Sequence, residues 1–181
     1  NTLSLVSYNL NEEMIQSSTV DLNNDTVLTR NEYGVVTTAN SISKYTESLY
    51  AYIKTHGSPN KWELRRPQYL DEPSDSSYYF KTNETTANKS NLNGFQSSVN
   101  SLATLEGKLK SAIGTTNALA VFAGASAAVG GPVGWGAAAA ALIAALGFAN
   151  AEQNYAYDIE EKQVVAWDYY YEVKNNSSIY F

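Results

Sequence analysis

The chain has 181 residues, no cysteine, a single histidine, 44% hydrophobic and 17% charged residues, and a formal net charge of −6. This acidic balance argues against the basic face that nucleic acid selects and against simple polybasic attraction to anionic lipid. Without cysteine there are no disulfides, no thiol chemistry and no cysteine zinc sites, and His56 alone makes a histidine metal centre or triad improbable.

The length fits one domain or two small ones. Ser, Thr, Asn and 14 Tyr must supply a largely uncharged polar surface. The chain opens on Asn1 rather than Met, and no basic stretch followed by an apolar leader stands behind it. It reads as a processed mature form and is expected to be secreted.

The first stretch is strand-like. Leu3, Leu5, Tyr8 and Leu10 sit in a run rich in Ser, Thr and Asn. Val20 and Leu22 alternate with Thr19 and Asp21, the period of a half-buried strand. Turn signals at 23–25 and 31–34 frame residues 27–29 and 35–37 as hairpin strands. Ile42, Tyr45, Leu49 and Ile53 recur three and four apart, which predicts a short helix capped by Asn40 or Ser41 and ended by Gly57. His56 then falls at that helix's C-terminus, where the dipole favours a cation. Residues 62–64 and 78–80 read as strands around a loop rich in Pro and Ser, and 82–93 as a polar linker.

The second half is helical by period. Leu92, Phe95, Val99, Leu102, Leu109 and Ile113 form one stripe, with Ser97, Ser98, Asn100, Glu106 and Lys110 facing away. The helix is expected to continue to about Val129, where Gly130, Gly131 and Pro132 stop it. A second helix is expected from near Trp135, amphipathic beyond Ala151 through Phe148, Tyr155, Ile159 and Ala166. Each arm would be about 35 residues, roughly 50 Å long. Trp167, Tyr169, Tyr170, Tyr171 and Val173, and then residues 179–181, favour strands that would join the N-terminal sheet.

These elements predict an α+β fold. A long antiparallel helical hairpin with an apolar Gly/Ala-rich tip accompanies a small Tyr-rich β region formed by N- and C-terminal strands. Residues 1–90 would be a β-rich targeting or shielding region with one short helix, and 91–181 the hairpin with the C-terminal strands.

The stretch 111–151 carries no charged residue. A helix that is apolar all round belongs in a protein core or in a membrane. The strictly apolar parts, 118–129 and 135–149, fall short of the ~20 residues of a comfortable span. A constitutive two-span membrane protein is therefore not expected, whereas a hairpin that enters a bilayer on demand is. The residues expected to enter are Val121, Phe122, Val129, Gly130, Gly131, Pro132, Trp135, Leu142, Ile143, Leu146 and Phe148, with the tip at 130–136. Trp135 would anchor at the interface and Lys108 and Lys110 would snorkel on one flank. An ordinary buried core is the competing reading, for Trp135 as for the whole hairpin. Glu152, Asp158, Glu160 and Glu161 follow the second arm and are expected to stay in water at the hairpin base.

This layout resembles the hydrophobic helical hairpin of pore-forming colicins and of α-helical pore-forming toxins. The resemblance covers residues 111–151 and rests on composition and layout, with no signature residue. It implies a hairpin hidden in a soluble bundle that inserts later. The whole chain looks like a large secreted bacteriocin of Gram-positive bacteria, geobacillin-like in composition.

The expected function is permeabilisation of a target-cell membrane by a secreted antibacterial or toxin-like protein. The lipid membrane is the partner, a receptor or glycan a further one, and several copies would assemble when active. Asp at Leu142 and Ile143 should then abolish activity and leave secretion intact. The alternative is a secreted or surface binding module whose apolar hairpin is a structural or oligomerisation core. A third reading is an immunity-type partner whose hairpin another chain covers. Tyr45, Tyr50, Tyr52, Tyr69, Tyr78, Tyr79 and 169–171 could present a glycan-binding face, although core and ordinary strand surface is the preferred reading. The carboxylate pairs Glu12-Glu13, Asp71-Glu72 and Glu160-Glu161 read as solvated faces, and no nucleophile elbow, phosphate loop or metal motif appears. The chain is therefore expected to be no enzyme and to need no cofactor or metal.

Overall fold

A computed structural model describes residues 2–8, 10–42, 49–67, 69 and 79–177. Within them lie seven strands followed by four helices, a mixed α and β architecture. Strands β1 (Thr2–Tyr8), β2 (Met14–Asp21), β3 (Thr26–Asn31) and β4 (Val36–Ser41) form a four-stranded sheet in chain order. Strands β5 (Ala51–Thr55), β6 (Lys61–Arg65) and β7 (Tyr79–Asn83) form a three-stranded one. The helices are α1 (Lys89–Ile113), α2 (Thr115–Ala128), α3 (Trp135–Ala145) and α4 (Asn150–Asn175).

The first sheet is an antiparallel meander. Leu3 pairs Val20, and Val20 pairs Val27, so one row of apolar side chains crosses three strands on one face. All three are buried. Asp21 turns the chain from β2 to β3, accepting hydrogen bonds from the Asn23 and Asn24 amides and from Asn24 Nδ2. The Asn24 side chain first, then the Asn23 amide, holds this carboxyl below its ordinary range.

The helix predicted over 42–53 is absent where the chain is described: residues 51–55 are strand β5. Tyr45 lies outside the described residues. Tyr52 and Ile53 suit a pleated strand as well as a helix, and pairing with Leu64 and Glu63 decides for the strand. The ring of Tyr52 rests 5.9 Å from that of Trp62, a cross-strand contact that a helix would lose. His56 therefore follows a strand, not a helix. The predicted linker over 82–93 is also shorter than expected, because β7 runs to Asn83 and α1 starts at Lys89.

The strand predicted at 167–173 is helix, since α4 continues to Asn175. Trp167, Tyr170 and Val173 stand three apart and turn one helical face inward. Tyr170 packs 5.0 Å from Phe80 and 6.1 Å from Phe95. The buried Arg66 guanidinium lies 5.0 Å over Trp167, 5.6 Å over Tyr170 and 5.7 Å over Tyr171. These contacts outweigh the local strand preference of Tyr and Trp. Residues 179–181 lie outside the described residues.

Helix α1 packs along α4, with Gly94 lying directly under the ring of Tyr169. Two positions expected to face water, Ser98 and Glu106, are buried. Ser98 hides its hydroxyl by donating to the Gly94 carbonyl at 2.9 Å. The two long arms are each broken. Gly114, at φ +88°, ends α1 before α2, and Gly147, at φ +93°, separates α3 from α4. Only glycine adopts such backbone without strain. Each arm is therefore a long amphipathic helix plus a short apolar one. A single buried cluster joins the first sheet, the second sheet and all four helices.

Candidate functional site

The uncharged stretch forms α2, a turn and α3, and the four-stranded sheet lies against it. Val121, Phe122, Pro132, Trp135, Leu142 and Ile143 are buried; Val129, Gly131, Leu146 and Phe148 are half-buried; Gly130 is exposed. Sheet, α2 and α3 meet at Gly124. A Cβ there would lie 2.8 Å from Leu142 Cδ1 and 2.9 Å from Val20 Cγ2, so any other residue would force these side chains aside. Buried Ser18 on β2 donates to the Gly124 carbonyl at 3.2 Å, a hydrogen bond from the sheet to α2.

Trp135 does not sit at a surface. Its indole N–H donates to Ser126 Oγ at 3.1 Å and its ring lies 6.2 Å from Phe122, so it closes α2 onto α3. Lys110 Nζ stands 5.9 Å over the Phe122 ring, while Lys108 is exposed. What the pair exposes is small: Thr115 and Thr116 at the start of α2, Gly130, Val133 and Gly134 in the turn, and Ala137, Ala141, Ala144 and Ala145 on the outer side of α3.

Glu160 is not at the hairpin base, where the sequence suggests it. Helix α4 runs back along α3 and brings the Glu160 carboxylate to the opposite end. Its Oε1 accepts from the Gly134 amide at 2.6 Å and its Oε2 from the Gly136 amide at 3.1 Å. These are unpaired amides of the α3 N-terminus, whose first turn holds no acid of its own. A side chain at Gly136 would collide with Glu160. The sequence hint was an uncharged helix start preceded by Gly134, which has no side chain to cap it.

Glu160→Gln should cost about 1–2 kcal/mol of stability, because one charge-assisted pair of bonds becomes one neutral bond and a mismatched amide. A thermal melt with hydrogen exchange of the Gly134 and Gly136 amides checks this. Unchanged exchange there would mean that the turn is held by something else.

The other candidate groups are dispersed. Glu12 and Glu13 are exposed in the β1–β2 turn, and Asp71 and Glu72 lie outside the described residues. Among the described residues no three His, Cys, Asp or Glu side chains gather to hold a metal ion. Tyr50 and Tyr69 are buried with their hydroxyls 3.1 Å apart; Tyr52, Tyr169 and Tyr171 are half-buried, Tyr79 is exposed, and Tyr45 and Tyr78 lie outside the described residues. Among the described residues no helix is long and apolar enough to cross a membrane. The chain matches no family model, no curated protein and no solved structure.

Proposed function

We propose that the chain is a secreted membrane-permeabilising protein, antibacterial or toxin-like, which releases α2 and α3 from its core and inserts them into a target-cell bilayer. The observation that carries this reading is an uncharged helical pair stored under a sheet. Its polar ties to the rest of the chain include the Ser18–Gly124 bond and the Glu160 clamp. Its outward surface on α3 is methyl groups alone, which water tolerates and lipid accepts.

Length sets a condition on the process. At 1.5 Å per residue α2 reaches about 21 Å and α3 about 17 Å, against a hydrocarbon core of ~30 Å. Straightening at Gly114 and at Gly147 would lengthen each to about 26 Å, close to a span. Residues 130–136 would then be the leading tip and Lys108 and Lys110 the trailing anchors. Several copies are needed, since one pair of helices encloses no channel. The hairpin's resemblance to that of pore-forming colicins points the same way. Glu160→Gln should insert faster than the parent.

The alternative, a secreted or surface binding module with a structural hairpin, draws on the full enclosure of Trp135, Leu142 and Ile143, which is what an ordinary core looks like. The two readings separate in one experiment. The chain has no cysteine, so Ala141→Cys carries a single environment-sensitive dye on the exposed side of α3. A blue shift of its emission on adding lipid vesicles supports insertion. An unchanged spectrum from folded protein supports the binding module.

A further inference from the structure

We infer that the turn end of the four-stranded sheet docks on a zwitterionic phospholipid surface through two adjacent hairpin tips. The inference rests on the membrane-acting reading and separates docking from insertion.

Antiparallel order sends β1 and β3 toward this end and β2 and β4 away from it, so the β1–β2 and β3–β4 turns lie side by side. On the first tip Val6, Tyr8, Leu10 and Ile15 are exposed; on the second, Tyr33, Val35 and Val36. These are seven of the twelve exposed large hydrophobics among the described residues, so the exposure is concentrated at one end and is not the usual scatter. Val6 pairs Ser17, Ser17 pairs Arg30 and Arg30 pairs Val36, which places both valines on one row. Strand alternation puts that row on the face opposite Leu3, Val20 and Val27. Val6 and Val36 therefore lie away from the face that covers α2 and α3, and Tyr8, Leu10, Tyr33 and Val35 lie at or beyond the strand ends.

The second tip is a built turn. Asn31 Oδ1 accepts from the Tyr33 and Val35 amides, both at 3.0 Å, and the Gly34 amide donates to the Asn31 carbonyl at 2.9 Å. This holds Tyr33 outward, while Leu10 is fully exposed on its neighbour.

Shape and charge select the occupant. The surface is a pair of projecting tips rather than a groove, so a rigid partner would need two matched pockets, whereas a bilayer interface yields around each side chain. Tyrosine suits that interface, with an apolar body and a polar hydroxyl. Glu12, Glu13 and Glu32 stand exposed at the same end, and Arg30 turns its guanidinium onto the Gly34 carbonyl. This acidic fringe repels anionic lipid and complements the outermost choline cation of a zwitterionic headgroup.

The test is co-sedimentation with phosphatidylcholine vesicles, with and without phosphatidylglycerol. It compares the parent, Leu10→Ser/Tyr33→Ser and Ala141→Lys/Ala144→Lys. All four positions are exposed, so each variant is expected to fold, and circular dichroism verifies it. The parent should pellet with phosphatidylcholine and less well once phosphatidylglycerol is added. The tip variant should bind at least about tenfold more weakly, from the lost burial of two large side chains. The lysine variant should pellet like the parent. Equal pelleting by the tip variant and the parent would overturn the docking site; if the lysine variant alone failed to pellet, insertion would be the sole membrane hold and the functional reading would stand. Binding by the parent only when phosphatidylglycerol is present would also overturn it. So would a self-association of the parent, seen by sedimentation velocity, that the tip variant loses, since the occupant would then be a second copy.

Discussion

Asp at both Leu142 and Ile143 is expected to unfold the chain, not to give a folded, inactive protein. The two side chains are 1% and 0% exposed, and Leu142 lies against Gly124 where sheet and helices converge. Removing a buried Leu or Ile side chain costs about 2–5 kcal/mol. An unpaired carboxylate in the same place adds several kcal/mol, or takes up a proton and remains an unsatisfied polar group. Together the two changes match or exceed the ~5–15 kcal/mol that holds a typical domain together. Circular dichroism should show no cooperative melt. A variant that melts within a few degrees of the parent would show that these positions are not core. Because the double variant is expected to be unfolded, its loss of lytic activity would say nothing about insertion, contrary to the expectation from the sequence alone.

Ala141→Lys with Ala144→Lys is expected to separate folding from insertion. Both alanines are exposed on α3, and exposed substitutions cost about 0.5 kcal/mol or less each. Lysine is a good helix former and is favoured near a helix C-terminus. In a bilayer the same two positions would fall near the middle of a helix extended over residues 135–151. A lysine there costs about 2.5–3.5 kcal/mol, so the pair should reduce insertion by more than about a hundredfold. The thermal melt should barely move. A large loss of stability would mean that the outer side of α3 is covered.

Much of the first sheet was legible from residues 17–29 because its two faces meet different surroundings. Val20 and Val27 go inward, and Thr19 and Thr26 do not. The α1 stripe was legible for the same reason. The breaks at Gly114 and Gly147 were harder to see, because a glycine in an alanine-rich run reads equally as helix packing. The α4 segment over Trp167 to Tyr171 misled, since local preference favours strand there. The partners that decide it, Arg66, Phe80 and Phe95, come from distant parts of the chain. Glu160 was visible as a charge but not as a clamp: its acceptors reach amides 24 and 26 residues earlier, and only the antiparallel packing of α3 and α4 brings them together. The turn over 31–34 was legible, but not that Leu10 and Tyr33 would stand exposed at the same end of one sheet, because that depends on the order in which the four strands pair.

Dye release from phosphatidylcholine vesicles, measured for the parent beside Ala141→Lys/Ala144→Lys at equal protein and lipid, tests the insertion of α2 and α3 most directly. Release by the parent and none by the lysine variant, with matching thermal melts, is the predicted result. Equal release by both, or none by a folded parent, would contradict it.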